Sequence, residues 1–160
     1  MLQLERLDLN DGKGIAILTI QAGLGIVAAD IIETNDGRLA RFGTETVKKL
    51  HELLPPMREN PVDLSFSGLD LNVPLRVIDA VSQDDDVGII MFLYAVAPPS
   101  WVIPTEVIKG IIERIKKPAI VVYSPTPDLD KKIENVLVFD SIERGAKTAI
   151  VCSMKKRNNF

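Results

Sequence analysis

The fold is decided by the stretch Gly14-Ile15-Ala16-Ile17-Leu18-Thr19-Ile20, which Gln21-Ala22-Gly23-Leu24-Gly25 and the segment Ile26 to Glu33 follow directly. The first seven residues are apolar or β-branched without alternation, as in a strand buried on both faces of a parallel sheet. The glycine-containing segment predicts a turn. Ile26 to Glu33 predicts a short helix, which Asn35-Asp36-Gly37 ends. The stretch is therefore the opening of an α/β unit.

The same alternation of strand and helix patterns continues along the chain. Further predicted strands are Arg38 to Phe42, Val62 to Phe66, Val87 to Tyr94, Pro118 to Tyr123 and Val136 to Phe139. Predicted helices are Thr44 to Leu54, Val73 to Ser82, Pro104 to Lys116 and Ser141 to Cys152. Apolar strands that alternate with amphipathic helices predict a doubly wound α/β fold, with a mainly parallel five- to six-stranded sheet and helices on both faces. We expect one domain over residues 1–160, with a core at about 14–152 and a basic tail at 154–160.

Composition excludes several classes of protein. The 160 residues include 19 Lys and Arg against 22 Asp and Glu, a net charge of −3, which argues against a nucleic-acid binder. A single Cys excludes an internal disulfide framework, and a single His excludes a multi-histidine metal site, so no metal site is expected. The acidic residues between Met1 and Lys13 do not fit a signal peptide, and Gly14 to Ile32 is too interrupted for a membrane helix. We expect a cytoplasmic protein.

The glycine segment is the candidate ligand site. In a doubly wound sheet, ligands bind at the carboxyl ends of the strands, and the amides of a helix N-terminus favour an anion. Gly23 to Ala28 also fits the loose G-x-G-x-x-A dinucleotide pattern, but no acidic residue ends a second strand, since Glu45 lies at a helix start. On the residues alone, three interpretations stay open: a tight turn for packing, an anion site and a dinucleotide site.

The segment Ile17 to Asp30 resembles one found in the nucleoside-diphosphate-forming acyl-CoA synthetases, where it typically reads Ile-Val-Thr-Asn-Ala-Gly-Gly-Pro-Gly-Val-Met-Ala-Ala-Asp. Leu50 to Pro56 resembles the family's helix ending in Leu-Pro-Pro. Asn60-Pro61-Val62-Asp63-Leu64 is identical to the family's Asn-Pro-Val-Asp-Leu. The resemblance runs from about Gly14 to Val151 and covers one module, the second flavodoxin-like (ligase-CoA) domain of these synthetases and of succinyl-CoA synthetase.

This resemblance implies a flavodoxin-like fold and a role for the glycine segment. In the family, the helix after this turn points its N-terminus at a phosphohistidine on another domain. Carried across, the phosphate-binding residues would be Gln21, Ala22, Gly23, Leu24 and Gly25. The family implies CoA and ADP or ATP on partner domains, with no cofactor bound tightly here. This sequence departs from the family at three positions, where Ile20 replaces Asn, Ala22 replaces Gly and Leu24 replaces Pro.

Other polar residues favour structural roles. His51 lies mid-helix between leucines and is expected on a solvated helix face, and Cys152 is expected as a small buried thiol. The run Asp84 to Asp86 predicts a solvated helix-to-strand loop rather than a cation site. Asp63 lies inside a predicted strand, where a carboxylate needs a partner, so we expect it to cap the glycine-turn helix or a neighbouring loop.

An apolar loop between the fourth strand and the next helix is the candidate interface. Loops seldom carry such residues uncovered, so we expect contact with another subunit at Val96, Pro98, Pro99, Trp101 and Val102.

Three functions follow from these observations. In the first, the chain is a non-catalytic ligase-CoA-like module or subunit that presents a helix N-terminus to a phosphohistidine on a CoA-binding partner. At this length any acyl-CoA synthetase chemistry would be shared with other chains. The alternatives are a flavodoxin-like domain that binds a nucleotide or flavin phosphate, and a degenerate homologue whose only role is homo-oligomerisation. No catalytic residue is assigned, and no nucleic-acid or membrane partner is expected.

Overall fold

A five-stranded, entirely parallel sheet lies at the centre of the molecule. The computed structural model describes residues 12–55, 59–67, 70, 72–95, 105–124 and 133–154. Its strand order is β2-β1-β3-β4-β5. The strands are β1 (Gly14–Thr19), β2 (Val62–Asp63), β3 (Val87–Ala95), β4 (Ala119–Ser124) and β5 (Val136–Phe139). The order reverses between β1 and β3, which confirms the doubly wound, flavodoxin-like fold.

Helices cover both faces of this sheet. They are α1 (Ala22–Thr34), α2 (Thr44–Leu53), α3 (Asn72–Gln83), α4 (Thr105–Glu113) and α5 (Ile142–Met154). The helices α1 and α5 share one apolar cluster, and α2, α3 and α4 share the other. Strand β1 shows why the sequence lacks alternation: Ile15 and Ile17 pack under α1 and α5, whereas Ala16 and Leu18 pack on the opposite side.

Two predicted strands are shorter than the sequence pattern suggested. Arg38 to Phe42 contributes only an isolated bridge between Leu39 and Ile15, so the described sheet has five strands rather than six. Val62 to Phe66 contributes the two residues of β2 and then turns into a 3₁₀ helix, Leu64–Ser67. Both segments lie at the outer side of β1, where each pairs with a different part of that strand.

The Asn60 side chain fills the gap between these two pairings. Its Oδ1 accepts a hydrogen bond from the Ile17 amide at 3.0 Å, and its Nδ2 donates to the Ile15 and Ala40 carbonyls, each at 3.0 Å. A side-chain amide carries the same donor and acceptor as a peptide group, so it can stand in for a missing strand residue. Along the outer edge of β1, the backbone hydrogen-bonding groups are therefore paired first by the segment at Leu39, then by the Asn60 side chain and then by β2.

Candidate functional site

The glycine segment is the first turn of α1 rather than a loop before it. The helix begins at Ala22, four residues earlier than the sequence predicted, and Gln21 is its N-cap. Thr19, fully buried at the end of β1, fixes this start: its hydroxyl donates to the Gln21 carbonyl at 2.7 Å and accepts from the Gln21 amide at 3.1 Å. The strand therefore turns into the helix within two residues, at the carboxyl edge of the sheet.

The two glycines of this turn have different reasons to be there. A Cβ added at Gly25 would lie 2.9 Å from Thr19 Cγ2 and 3.0 Å from Pro61 Cβ, so the close packing of α1 on β1 requires a glycine. A Cβ added at Gly23 would meet nothing within 4 Å. The packing interpretation therefore explains Gly25 and leaves Gly23 unexplained, because Gly23 is exposed and faces open space.

The N-terminus of α1 differs from the other described helix starts in its charge. The first-turn amides of a helix have no carbonyl partner within the helix and carry the positive end of its dipole. The first turn of α1 contains no acidic residue, and no side chain caps it. Every other described helix has an acidic group at or just before its first turn, namely Glu45, Asp70, Glu106 and Glu143. Ala22 and Gly23 are exposed residues.

The position of this helix start matches the place where doubly wound folds bind ligands. Strand β1 lies between β2 and β3, so its carboxyl end opens at the point where the strand order reverses. The Ile20 amide donates to the Leu93 carbonyl of β3 at 3.2 Å, which ties the chain before Gln21 to the neighbouring strand. The structure places Gln21 to Gly25 together at this edge of the sheet, with Gly25 buried and Ala22 and Gly23 exposed.

The Asn60 to Leu64 segment supports the glycine turn from the side. Pro61 packs against Gly25, and Val62 and Asp63 pair with Leu18 and Thr19. Asp63 is only 8% exposed and accepts a hydrogen bond from the Ser65 amide at 2.9 Å, so it caps the 3₁₀ helix that follows. The expected structural role of Asp63 is confirmed. Its side chain caps the neighbouring segment rather than the helix of the glycine turn.

His51 lies on an exposed face of α2, as predicted. It lines a shallow groove beside β2 together with Leu50, Leu54, Pro55, Glu59, Val62 and Asp63. Cys152 is a buried thiol in α5, also as predicted. Within the part of the chain that the structure describes, no group of three or more His, Cys, Asp or Glu side chains could hold a metal ion.

The helix-to-strand loop predicted at Asp84 to Asp86 is confirmed, but the expectation that it is solvated was wrong for Asp84 and holds only in part for Asp86. Asp84 is 6% exposed and accepts hydrogen bonds from the Gly43 amide, at the start of α2, and from the Asp86 amide, each at 2.9 Å. Asp86 forms a bidentate pair with Arg38 at 2.7 and 2.8 Å, and the Arg38 hydrogen bond is the main reason that its carboxyl pKa is lowered. Only Asp85 is exposed, because its neighbours bind backbone and side-chain groups at the amino edge of the sheet.

The predicted interface loop cannot be placed on this framework. Val96, Pro98, Pro99, Trp101 and Val102 lie outside the described residues. Among the described residues, the structure instead finds its exposed large apolar side chains at Ile26, Val27, Val151 and Met154, all on α1 and α5. A sequence reading misses these because Ile26 and Val27 adjoin the buried Gly25 and Ala28, and residue type alone does not tell which side of a helix faces the sheet. No described helix is long and apolar enough to span a membrane.

The fold and the helix start define a flavodoxin-like α/β domain in which the N-terminus of α1 lies at the carboxyl edge of the sheet. No family model matches the sequence. The chain is 32% identical over 108 residues to the ADP-forming acetate–CoA ligase II subunit alpha of Pyrococcus furiosus, covering 66% of this chain and 23% of that protein. It is 35% identical over 79 residues to the ADP-forming acetate–CoA ligase I of Archaeoglobus fulgidus, covering 48% of this chain and 11% of that protein.

Solved structures show the same fold. PH0766 from Pyrococcus horikoshii matches with a TM-score of 0.75 at 23% identity, over 94% of this chain and 37% of that one. The dinucleotide-forming acetyl-coenzyme A synthetase 1 of Candidatus Korarchaeum cryptofilum, in complex with phosphate and ADP, matches with a TM-score of 0.67 at 20% identity, over 96% of this chain and 37% of that one. The chain is thus homologous to one segment of ADP-forming acetate–CoA ligases, which confirms the resemblance predicted from the sequence. It spans about a quarter or less of the curated relatives' length.

Proposed function

We propose that the chain acts as the ligase-CoA-like module of an acyl-CoA synthetase and presents the N-terminus of α1 to a phosphohistidine on a partner domain. The exposed, sterically open Gly23 in an uncapped and uncharged first turn carries this proposal. A phosphoryl group brings negative charge and acceptor oxygens, which suit first-turn amides and the positive end of a helix dipole.

The module itself supplies position and charge rather than a reacting group. The residues of the turn are Thr19, Gln21, Ala22, Gly23 and Leu24. None of these side chains acts as a nucleophile at neutral pH without an adjacent base. Because the curated relatives are several times longer, the CoA, nucleotide and histidine sites would lie on other domains or subunits. The phosphate would be held by amides that are already oriented, which costs little reorganisation.

The departures from the family pattern fit this proposal. Ala22 and Leu24 replace Gly and Pro of the family pattern, yet the structure keeps a regular helix start at Ala22, with the Leu24 amide donating to the Gln21 carbonyl at 3.0 Å. Ile20 replaces an Asn and packs partly buried on the core under α2 to α4. Backbone amides, unlike side chains, are retained through such substitutions, so anion binding by the helix start does not depend on the lost polar residues.

A titration with inorganic phosphate tests the anion site. We expect saturable shifts of the Ala22 and Gly23 amide signals in nitrogen-15 NMR spectra as phosphate rises to about 10 mM. Gly23→Asp places a carboxylate at the same amides and should abolish the shifts. Gly110→Asp is the matched control, since Gly110 is also exposed on a helix, α4, with nothing within 4 Å of an added Cβ. No shift at Ala22 and Gly23, or equal loss in both variants, would contradict an anion site there.

An activity assay tests the non-catalytic part. The purified chain, given acetate, CoA and ATP, should form no acetyl-CoA. Turnover by the chain alone, abolished by a mutation in this chain, would show that the proposed division of labour is wrong.

A further inference from the structure

The outer surface of the α1 and α5 layer carries exposed large apolar side chains. Ile26 is 66% exposed and Val27 49% on α1, while Val151 is 52% exposed and Met154 43% on α5. In the described ranges these are the exposed large apolar side chains, and the layer of α2, α3 and α4 carries none. Large apolar side chains grouped on one layer indicate a surface that another molecule covers.

The two helices run side by side in the same direction. Each follows a strand of a parallel sheet, so each starts at the carboxyl edge and ends at the amino edge. Their ends meet at Gly37, where an added Cβ would lie 2.7 Å from Ile32 of α1 and 2.8 Å from Ile150 of α5. Ile26 and Val27 therefore lie at the start of α1, and Val151 and Met154 lie at the end of α5, at opposite corners of the layer.

Charged residues hold the other two corners. Asp30 and Glu33 are exposed towards the end of α1, and no described Lys or Arg forms an ion pair with either of them. Arg144 and Lys147 are exposed at the start of α5, where Lys147 pairs with Glu143 of the same helix and Arg144 pairs with Asp140 just before it. Exposed pairs of this kind contribute little, so the basic side chains can turn to a new partner at small cost.

We propose that this layer is an isologous interface between two copies of the chain. A two-fold axis along the diagonal that joins the apolar corners lays each apolar corner on its own counterpart. The same axis brings the acidic corner of one copy opposite the basic side chains of the other. A two-fold interface needs a patch that is complementary to itself, and this arrangement of corners has that property.

This interface leaves the proposed phosphate contact accessible. The first-turn amides of α1 point along the helix axis to the carboxyl edge, whereas Ile26 and Val27 project outward from the layer. A dimer would therefore place two open helix starts on one assembly. The dimer does not depend on phosphate binding, so either proposal can fail without the other.

Sedimentation velocity of the purified chain tests the interface. We expect a dimer at about 100 µM, and Ile26→Glu should weaken the dimer about 100-fold because it buries an unpaired charge against its own copy. Met154→Glu, at the other apolar corner, should act in the same direction. Gln83→Glu is the matched control: it adds the same charge at an exposed position on α3, and it should leave the dimer unchanged.

A charge reversal tests the predicted pairing of corners. Asp30→Lys and Lys147→Asp should each weaken the dimer, and the double variant should restore it. Circular dichroism and urea unfolding of every variant separate loss of the dimer from loss of the fold. A monomer at all concentrations would overturn the proposal and indicate a different protein as the occupant. A dimer that withstands Ile26→Glu and Met154→Glu would also overturn it, as would a double variant that stays as weak as the single variants.

Discussion

The Asn60 side chain accepts a hydrogen bond from the Ile17 amide at 3.0 Å and so replaces a strand residue at the edge of β1. The same side chain donates to the Ile15 and Ala40 carbonyls. One side chain thereby bonds three backbone groups where the two short pairings beside β1 stop, although the Ile15 carbonyl also accepts from the Ala40 amide at 2.9 Å. It also sets the start of the segment that carries Pro61 to the glycine turn.

Asn60→Ala should therefore be strongly destabilising. The change removes three hydrogen bonds and leaves partly buried peptide groups unpaired, so we expect a loss of about 2–4 kcal/mol in the free energy of unfolding. Urea unfolding followed by circular dichroism measures it. Asn35→Ala is the control, because the Asn35 side chain is exposed and bonds only at the end of α1, to Ile31 and Thr34. Equal effects of the two substitutions would show that Asn60 does not hold the edge of β1.

The two glycines of the turn should respond differently to alanine. Gly25→Ala forces a Cβ within 3.0 Å of Thr19 and Pro61, and we expect a loss of about 1–3 kcal/mol through overpacking. Gly23→Ala meets no neighbour and reduces the freedom of the unfolded chain, so its effect should be neutral or stabilising by up to about 1 kcal/mol. Thermal and urea unfolding of the two variants compare them directly. A destabilised Gly23→Ala variant would mean that Gly23 is needed for packing after all.

Adjacent aspartates in the loop before β3 provide a second matched pair. Asp84→Ala removes the acceptor of two part-buried hydrogen bonds from the Gly43 and Asp86 amides, and we expect a loss of about 2–3 kcal/mol in the free energy of unfolding. Asp85→Ala changes an exposed side chain, so its free energy of unfolding should lie within about 0.5 kcal/mol of that of the parent protein. Urea unfolding at neutral pH measures both free energies. If Asp85→Ala proved the more harmful change, the assignment of Asp84 as the capping residue would be incorrect.

The ion pair between Arg38 and Asp86 should make the free energy of unfolding depend on pH in the acidic range. The Asp86 carboxyl has a pKa lowered chiefly by the Arg38 hydrogen bond, so its contribution is complete above the unfolded-state pKa of about 4 and is lost as the pH falls through the lowered folded-state value. Because both side chains are partly exposed, we expect Arg38→Gln to cost only about 1 kcal/mol at neutral pH.

Urea midpoints across the acidic range measure this dependence. The difference between the parent and Arg38→Gln should narrow as the pH falls below about 4. Arg144→Gln is the control, since the Arg144–Asp140 pair joins two exposed side chains and should contribute almost nothing to stability. A difference for Arg38→Gln that stayed constant down to acid unfolding would rule out Asp86 as its source.

Sequence patterns predicted the regular elements well and their ends less well. Val87–Ala95, Val136–Phe139 and Asn72–Gln83 agree with the predicted elements to within a residue, because long apolar or amphipathic runs leave few alternatives. The start of α1 was predicted four residues late. Glycines lower the helix propensity of a segment, but the Thr19 hydroxyl and the packing of Gly25 on Pro61 impose the helix there.

The glycine segment stays the predicted site, and only the structure showed its internal arrangement. The sequence could not separate Gly25, which packing requires, from Gly23, which faces open space. It likewise treated Asp84 to Asp86 as one loop, although each residue has a different environment. Such distinctions depend on which backbone groups from distant parts of the chain lie nearby, and a local sequence pattern contains no information about these neighbours.

The sequence by itself determined the parallel sheet, the helices on its two faces and the presence of a helix after β1, since apolar periodicity and turn residues are local properties. Only the tertiary structure decided that Asn60 completes the edge of β1, that Asp84 is buried and that Ile26 and Val27 face outward. The physical reason is that side-chain hydrogen bonds and burial are set by the register and layering of distant segments. Those relationships exist only once the sheet has brought residues 15–17, 38–43, 60–63 and 84–87 together.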